Sequence, residues 1–297
     1  MCPPGQVGVD HRPPEVVGND MPFTQADLLA AAQRSLAAAE AHDRDGWIGL
    51  FTADGRVEDP VGSMPHRGRE AIAKFYDTFI APRSISFSAE SDLVVATTVV
   101  RDVLLEIGMA STLTMRVPTY IRYDISTGAG SDGAAEGDEL KIAALSAYWE
   151  LPAMVGQFVR GGLGAIPAGT SLGRAMVANQ GMSGSLGFLT GFRGSGTGRR
   201  ELFTRFLDAA CGGDELGLRR HTADTAITRG DTEPLTTSEL ARQLSGGTWD
   251  KLIRSGRSVA ARVERGGRRC VLIAETSRRR GQNRAVLSRL RLFGELW

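Results

Sequence analysis

Asp59 ends a short stretch with apolar neighbours, directly before a proline, in Phe51-Thr-Ala-Asp-Gly-Arg-Val-Glu-Asp-Pro-Val-Gly-Ser63. A proline ring keeps the residue before it out of the helical region, so Asp59 is expected to be extended. Pro60 has no N–H, so regular strand pairing breaks there. A carboxylate fixed where a strand breaks, between apolar residues, can act as a general base inside a pocket. The same spacing also suits an ordinary Asp-Pro turn. Glu58 alternates with Asp59 and faces solvent if Asp59 faces inward.

Composition bounds what surrounds this acid. The chain has 297 residues, 42% of them hydrophobic and 23% charged, which suits a globular protein of two domains. Its three cysteines (Cys2, Cys211, Cys270) and scattered histidines lack metal-ligand spacing, so neither a disulfide framework nor a metal site is expected. No strand-to-helix Gly-x-Gly-x-x-Gly is present, and no cofactor is expected. No apolar run of about 20 residues suggests a membrane span, and a cytoplasmic location is expected. Residues 1–22 read as a Pro-rich disordered arm, not a signal peptide.

Charge divides the chain. Residues 1–150 hold 12 basic and 22 acidic side chains, whereas residues 151–297 hold 23 and 12. The halves either dock on each other or solubilise their own surfaces, and the basic half could instead meet an anionic partner. Its basic residues lack interleaved aromatics, so nucleic-acid binding is not expected. Arg278-Arg-Arg280, between two strand-like runs, reads as a hairpin tip.

The elements around Asp59 follow from periodicity. Residues 24–42 form an amphipathic helix with Thr24 as N-cap and Leu28, Leu29, Ala32 and Leu36 on one face. Asp45 to Phe51 reads as a short helix, a strand enters through Val57, and Arg69 to Ile80 forms a third helix. Strand-like segments follow near 84–89, 92–107, 110–125 and 140–150, with a Gly/Ala/Ser/Asp loop over 126–138. Residues 153–198 carry 13 glycines, three arginines and no acid. They read as a Gly-rich helical connector, or alternatively as a membrane-surface segment or a lid over a greasy pocket.

Gln33-Arg-Ser-Leu-Ala-Ala-Ala-Glu40, Asp43-Arg-Asp-Gly-Trp47, the Glu58 to Ser63 segment, Arg67-Gly-Arg-Glu-Ala-Ile72 and Lys74-Phe-Tyr76 occur in that order. In order and spacing they resemble the ketosteroid isomerases of the NTF2-like (SnoaL-like) superfamily, closely over 30–80 and loosely to 151. The resemblance implies a cone-shaped α+β domain over 23–152, with helices on a curved antiparallel sheet enclosing an apolar cavity. It puts Asp59 in the role of proton-shuttling base for a small hydrophobic carbonyl ligand, and Tyr76 in that of the supporting tyrosine. The family's first oxyanion donor falls on Ser35 and its second on Thr119 or Tyr120, so Tyr76 or Tyr120 is the expected hydroxyl donor. Trp47, Phe51, Phe79, Met115 and Trp149 are candidates for lining the cavity with Ser35.

Residues 199–297 read as a degenerate repeat of the same domain. Leu202-Phe-Thr-Arg-Phe-Leu207 forms its first helix, Thr222-Ala-Asp224 echoes Thr52-Ala-Asp54, and late strands are expected at 257–264, 269–276 and 284–293. Without gaps, Arg229 stands where Asp59 does, so this copy has no base. The family commonly pairs through the open face of its sheet, which implies either a homodimer or an intrachain pair. The functions left open are a double-bond isomerase, a cyclase or epoxide-opening enzyme using an acid pair, and a non-catalytic ligand binder or interaction module.

Overall fold

Thr24 caps the first helix as expected. Its hydroxyl accepts from the Asp27 N–H, and the Asp27 carboxylate accepts from the Thr24 N–H. The helix, α1, spans Gln25–Glu40 and buries Leu28, Ala31, Ala32, Ser35, Leu36 and Ala39. The computed structural model describes residues 23–110, 113–127, 139–160, 197–278 and 285–294. The N-terminal arm, most of the Gly-rich stretch and Arg279–Arg280 lie outside the described residues.

After α1 come α2 (Arg44–Gly49), β1 (Phe51–Glu58), β2 (His66–Arg67) and α3 (Gly68–Phe75). The helix predicted over 69–80 does not run regularly to its end. Tyr76–Ile80 forms a π-helical turn, closed by the Ala81 N–H on the Tyr76 carbonyl at 2.9 Å. Such turns insert an extra residue and re-aim the side chains that follow. Strands β3 (Ser84–Val95), β4 (Thr98–Ala110), β5 (Leu113–Thr127) and β6 (Leu140–Tyr148) then build a six-stranded sheet in the order β2-β1-β6-β5-β4-β3. β1 and β6 run parallel; the other pairs are antiparallel.

Helix α4 (Leu151–Arg160) follows, and α5 (Thr197–Cys211), α6 (Glu215–Thr222) and α7 (Thr237–Leu244) belong to the second half. Its strands are β7 (Ala226–Arg229), β8 (Glu233–Pro234), β9 (Thr248–Ser255), β10 (Ser258–Arg265), β11 (Arg268–Arg278) and β12 (Ala285–Phe293). They repeat the first order strand for strand, as β8-β7-β12-β11-β10-β9, again with one parallel pair, β7 with β12. Two α+β units of NTF2-like architecture are therefore present. β7, β8 and β9 are absent from the periodicity reading because they are short or charged.

Each sheet has two apolar faces. One face of β5 sends Met115, Val117, Ile121, Tyr123 and Ile125 into the core under α1 and α3. The other sends Tyr120 toward the second half, where Val100, Tyr120 and Tyr148 join Ile253, Ala260, Val271, Ile273 and Phe293 in one cluster. Ion pairs ring that cluster. Lys251 and Arg262 reach the fully buried Asp102, Arg254 binds Glu150 at 3.0 Å, and Arg122 binds Asp231. The charge asymmetry of the two halves is thus partly spent on their own contact.

Candidate active site

The parallel pairing of β1 with β6 creates the site. Parallel strands end on the same side, and Glu58 is in register with Ser146. Asp59 lies one residue past the end of β1, and Trp149 one past the end of β6. The Trp149 indole N–H donates to Asp59 Oδ1 at 2.5 Å. The turn beyond is anchored by the Val61 N–H on the Ala147 carbonyl at 2.8 Å and the Ser63 N–H on the Pro60 carbonyl at 3.0 Å. The Asp59–Pro60 bond is cis.

Asp59 opens onto an apolar hollow of about 120 Å³. Phe75, Phe79 and Ile80 line it from α3 and the π-helical turn, Ile85, Leu105, Ile107, Met109, Met115 and Val117 from the sheet, and Met154 from α4. Arg83 and Trp149 complete the wall, so Asp59 is the one carboxylate lining it among the described residues. Loss of solvation pushes the Asp59 pKa from 3.8 up to about 6, against the opposing pull of the indole N–H. The group is ionised at neutral pH yet holds a proton far better than a surface carboxylate.

Two other hollows adjoin this one or lie apart from it. A second, of about 210 Å³, shares Val117 and Met154 with the first and extends toward Lys251 and Ile253. A larger one, of about 670 Å³, lies between the halves and is lined by Arg56, Glu58, Arg122, Asp124, Glu275 and Arg291 among others. Its charges largely neutralise one another, and Asp59 does not reach it. The carboxylate with the raised pKa therefore opens onto the smaller, apolar hollow.

The expected site residues divide sharply. Asp59, Phe79, Met115 and Trp149 meet at the hollow. Trp47 and Phe51 do not; their rings lie 4.9 Å apart in the core, and Trp47 also contacts Tyr76 at 5.5 Å. Tyr76 is fully buried outside the hollow, its surroundings set by Asp43, Asp77 and Arg44. Tyr120 points from the opposite face of β5, and its hydroxyl donates to the Lys251 carbonyl at 3.0 Å. Thr119 is on the core face but donates to the Val117 carbonyl at 3.0 Å. Ser35 is buried on the inner face of α1, near Tyr123, and does not line the hollow. Neither expected tyrosine supplies a donor to the site, which corrects the reading of both. Glu58 faces the second half rather than open solvent, accepting from the Gly62 N–H at 2.8 Å. His66 is half-buried against Phe75, their rings 5.1 Å apart, so it is not a plain surface residue.

Two residues near the site went unassigned in the sequence. Tyr123 is fully buried; burial pushes its phenol up to about 12, opposed by the Ser35 hydroxyl, and the charge on Asp59 adds to the rise. Counting in twos from Met115 along β5 reaches Tyr123, which was the available signal. Arg83 carried no such signal.

Residues 32–129 match the family model described as the SnoaL-like domain. That match covers 98 of the 297 residues, all within the first half. Several solved proteins resemble it. A Mycobacterium tuberculosis protein in complex with estradiol-17beta-hemisuccinate is 26% identical over 42% of this chain and 95% of its own, with a TM-score of 0.37. The Delta 5-3-ketosteroid isomerase from Mycobacterium sp. is 28% identical over 43% and 96%, with a TM-score of 0.34. An M. tuberculosis LEH-like epoxide hydrolase is 15% identical over 46% and 92%, with a TM-score of 0.38. No helix among the described residues is long and apolar enough to cross a membrane.

Proposed function

We propose that this protein is a carboxylate-dependent isomerase of small hydrophobic carbonyl compounds, with Asp59 as its base. The observation that carries the reading is the Asp59 carboxylate in an apolar hollow with its pKa near 6. Asp59 takes a proton from the carbon beside a carbonyl, and the C–H electron pair moves onto the carbonyl oxygen as an enolate. The neutral Asp59 acid then returns the proton two carbons away, so the double bond enters conjugation and the carboxylate is restored. Trp149 positions Asp59 through its indole N–H.

The hollow's size narrows the substrate. About 120 Å³ lies well under the roughly 300 Å³ where ligand pockets commonly begin. A one-ring compound suits it. A fused steroid skeleton enters only if Met154, which borders both apolar hollows, swings aside.

The second half has a supporting role in this reading. β7 takes the place of β1, and in the paired registers Arg229 corresponds to Asp59 and Gly294 to Trp149. Base and indole are both replaced, so the second unit serves as a built-in partner for the first sheet.

The test is turnover of a one-ring β,γ-unsaturated ketone, followed by the absorbance of the conjugated enone. Turnover that drops about 100- to 10,000-fold in Asp59→Asn supports the proposal. Equal rates in both proteins defeat it. A non-catalytic binder is the second reading, favoured because no tyrosine or second acid lines the hollow among the described residues. Saturable binding without turnover selects it. The acid-pair chemistry of a cyclase or epoxide-opening enzyme finds no second acid lining the hollow among the described residues.

A further inference from the structure

Three arginines among the described residues are buried, and they are not treated alike. Arg101 is ion-paired with Asp92 at 2.7 Å, and Arg291 with Glu275 at 2.7 Å. Arg83, 9% exposed, has no carboxylate within ion-pair distance among the described residues. It follows the π-helical turn, immediately before β3, and lines the same hollow as Asp59. One nitrogen, Nη1, donates to the carbonyls of Thr78 at 2.8 Å and Phe79 at 2.7 Å. The guanidinium carbon lies 5.9 Å from the centre of the Phe79 ring. Nε and Nη2 make no hydrogen bond among the described residues. Burial pulls the Arg83 pKa down to about 10, so the group is a cation at neutral pH.

A buried charge without a counter-charge is unfavourable unless something pairs with it. Guanidinium is the side chain best shaped to take a carboxylate through two N–H groups. The remaining walls of the hollow, Ile80, Ile85, Leu105, Ile107 and Met109 among them, demand an apolar body. Asp59 and Arg83 are not within ion-pair distance of each other, so neither neutralises the other.

We propose that Arg83 is the specificity-determining residue of the hollow, and that it selects a small apolar ligand bearing a carboxylate, held by the Arg83 nitrogens Nε and Nη2. This rests on the hollow beside Asp59 being the ligand site, as in the proposed function, but not on turnover. The carboxylate sits at the Arg83 end and the apolar ring fills the space toward Asp59. A neutral isostere loses the charge-assisted hydrogen bonds and leaves the guanidinium unpaired.

The proposal is tested by calorimetric titration of the full chain at pH 8 with cyclohexanecarboxylate and with cyclohexylmethanol, which differ in little but charge. The expected result is a preference of at least about 10-fold for the acid, the size that a charge-assisted hydrogen bond can supply. Arg83→Met removes that preference and Arg83→Lys retains part of it. Wild-type protein that binds acid and alcohol alike, or fails to bind the acid, overturns the proposal without any variant having to fold. So does an Arg83→Met protein that keeps the preference; Arg83 would then only cap the carbonyls of the π-helical turn. Asp59→Asn keeps or strengthens the preference, because it removes a like charge from the same hollow. Acid selection without enone formation would remove the isomerase and spare this assignment, and enone formation without acid selection would do the reverse.

Discussion

Asp59 holds its proton in the folded protein with a pKa of about 6, against an ordinary value of 3.8. Between those values the folded state binds more protons than the unfolded state, so stability falls as pH rises through the window. Above pH 6 the penalty is complete, at most about 3 kcal/mol for a shift of this size. Asp59→Asn keeps an oxygen for the Trp149 indole but removes the charge. Urea denaturation should find it more stable than the wild type at pH 8 and equal to it at pH 4. A variant less stable at pH 8 would mean that the carboxylate is well solvated. Asp59 stood out in the sequence as an acid before a proline between apolar residues, a spacing that also suits a turn, and its reading as a base came from the family resemblance. Its contact with Trp149 was not legible, since it depends on β1 pairing with a strand about 90 residues away. Arg83 was invisible for another reason: burial without an ion-pair partner leaves no trace in a one-dimensional pattern.

At the scale of elements, α4 supplies one wall of the hollow beside the acid. It sets Met154 against both apolar hollows. One side chain fastens it to the sheet: Gln157 donates to the Arg116 carbonyl at 2.9 Å and accepts from the Arg116 N–H at 3.2 Å. Losing this pair should cost about 1 kcal/mol, most of it in local opening rather than global unfolding. Hydrogen exchange of the 151–160 amides should therefore be several-fold faster in Gln157→Ala, with the α1 amides unchanged; equal exchange in α4 would show that the helix is held by other contacts. The periodicity located most elements of the first half, and alternation along β5 from Met115 gives the face that meets the core. Tyr120 came to be expected through the family resemblance, which left Thr119 and Tyr120 open, and one residue of register decides between opposite faces of the strand.

Across the whole molecule, the second half braces the turn that carries the acid. Gly62 and Gly256 meet between the halves, both in the left-handed region at φ +96° and +56°. A Cβ on Gly62 would lie 2.4 Å from the Gly256 Cα, and one on Gly256 2.5 Å from the Gly62 Cα. The Ser255 hydroxyl donates to the Val61 carbonyl at 2.9 Å beside them. Gly256→Ala combines an unfavourable φ with a backbone clash, so a loss of stability of about 2 kcal/mol or more is expected. The loss should be accompanied by a changed Asp59 titration, because the turn from Asp59 to Ser63 must move. A variant as stable as the wild type, with Asp59 unaltered, would deny the second half this role. The repeated topology was readable from the Leu202 helix and the late strands. The interface was foreshadowed only by opposite charges, since an apolar face on a sheet does not reveal what covers it.

The central claim is a proton-accepting carboxylate shielded from water, and carbon-13 NMR titration of the Asp59 carboxyl, assigned by its loss in Asp59→Asn, tests it most directly. The account predicts a midpoint near pH 6. A midpoint at or below the ordinary value of 3.8 would contradict it, because a carboxylate that easily ionised sits in water rather than in the apolar hollow.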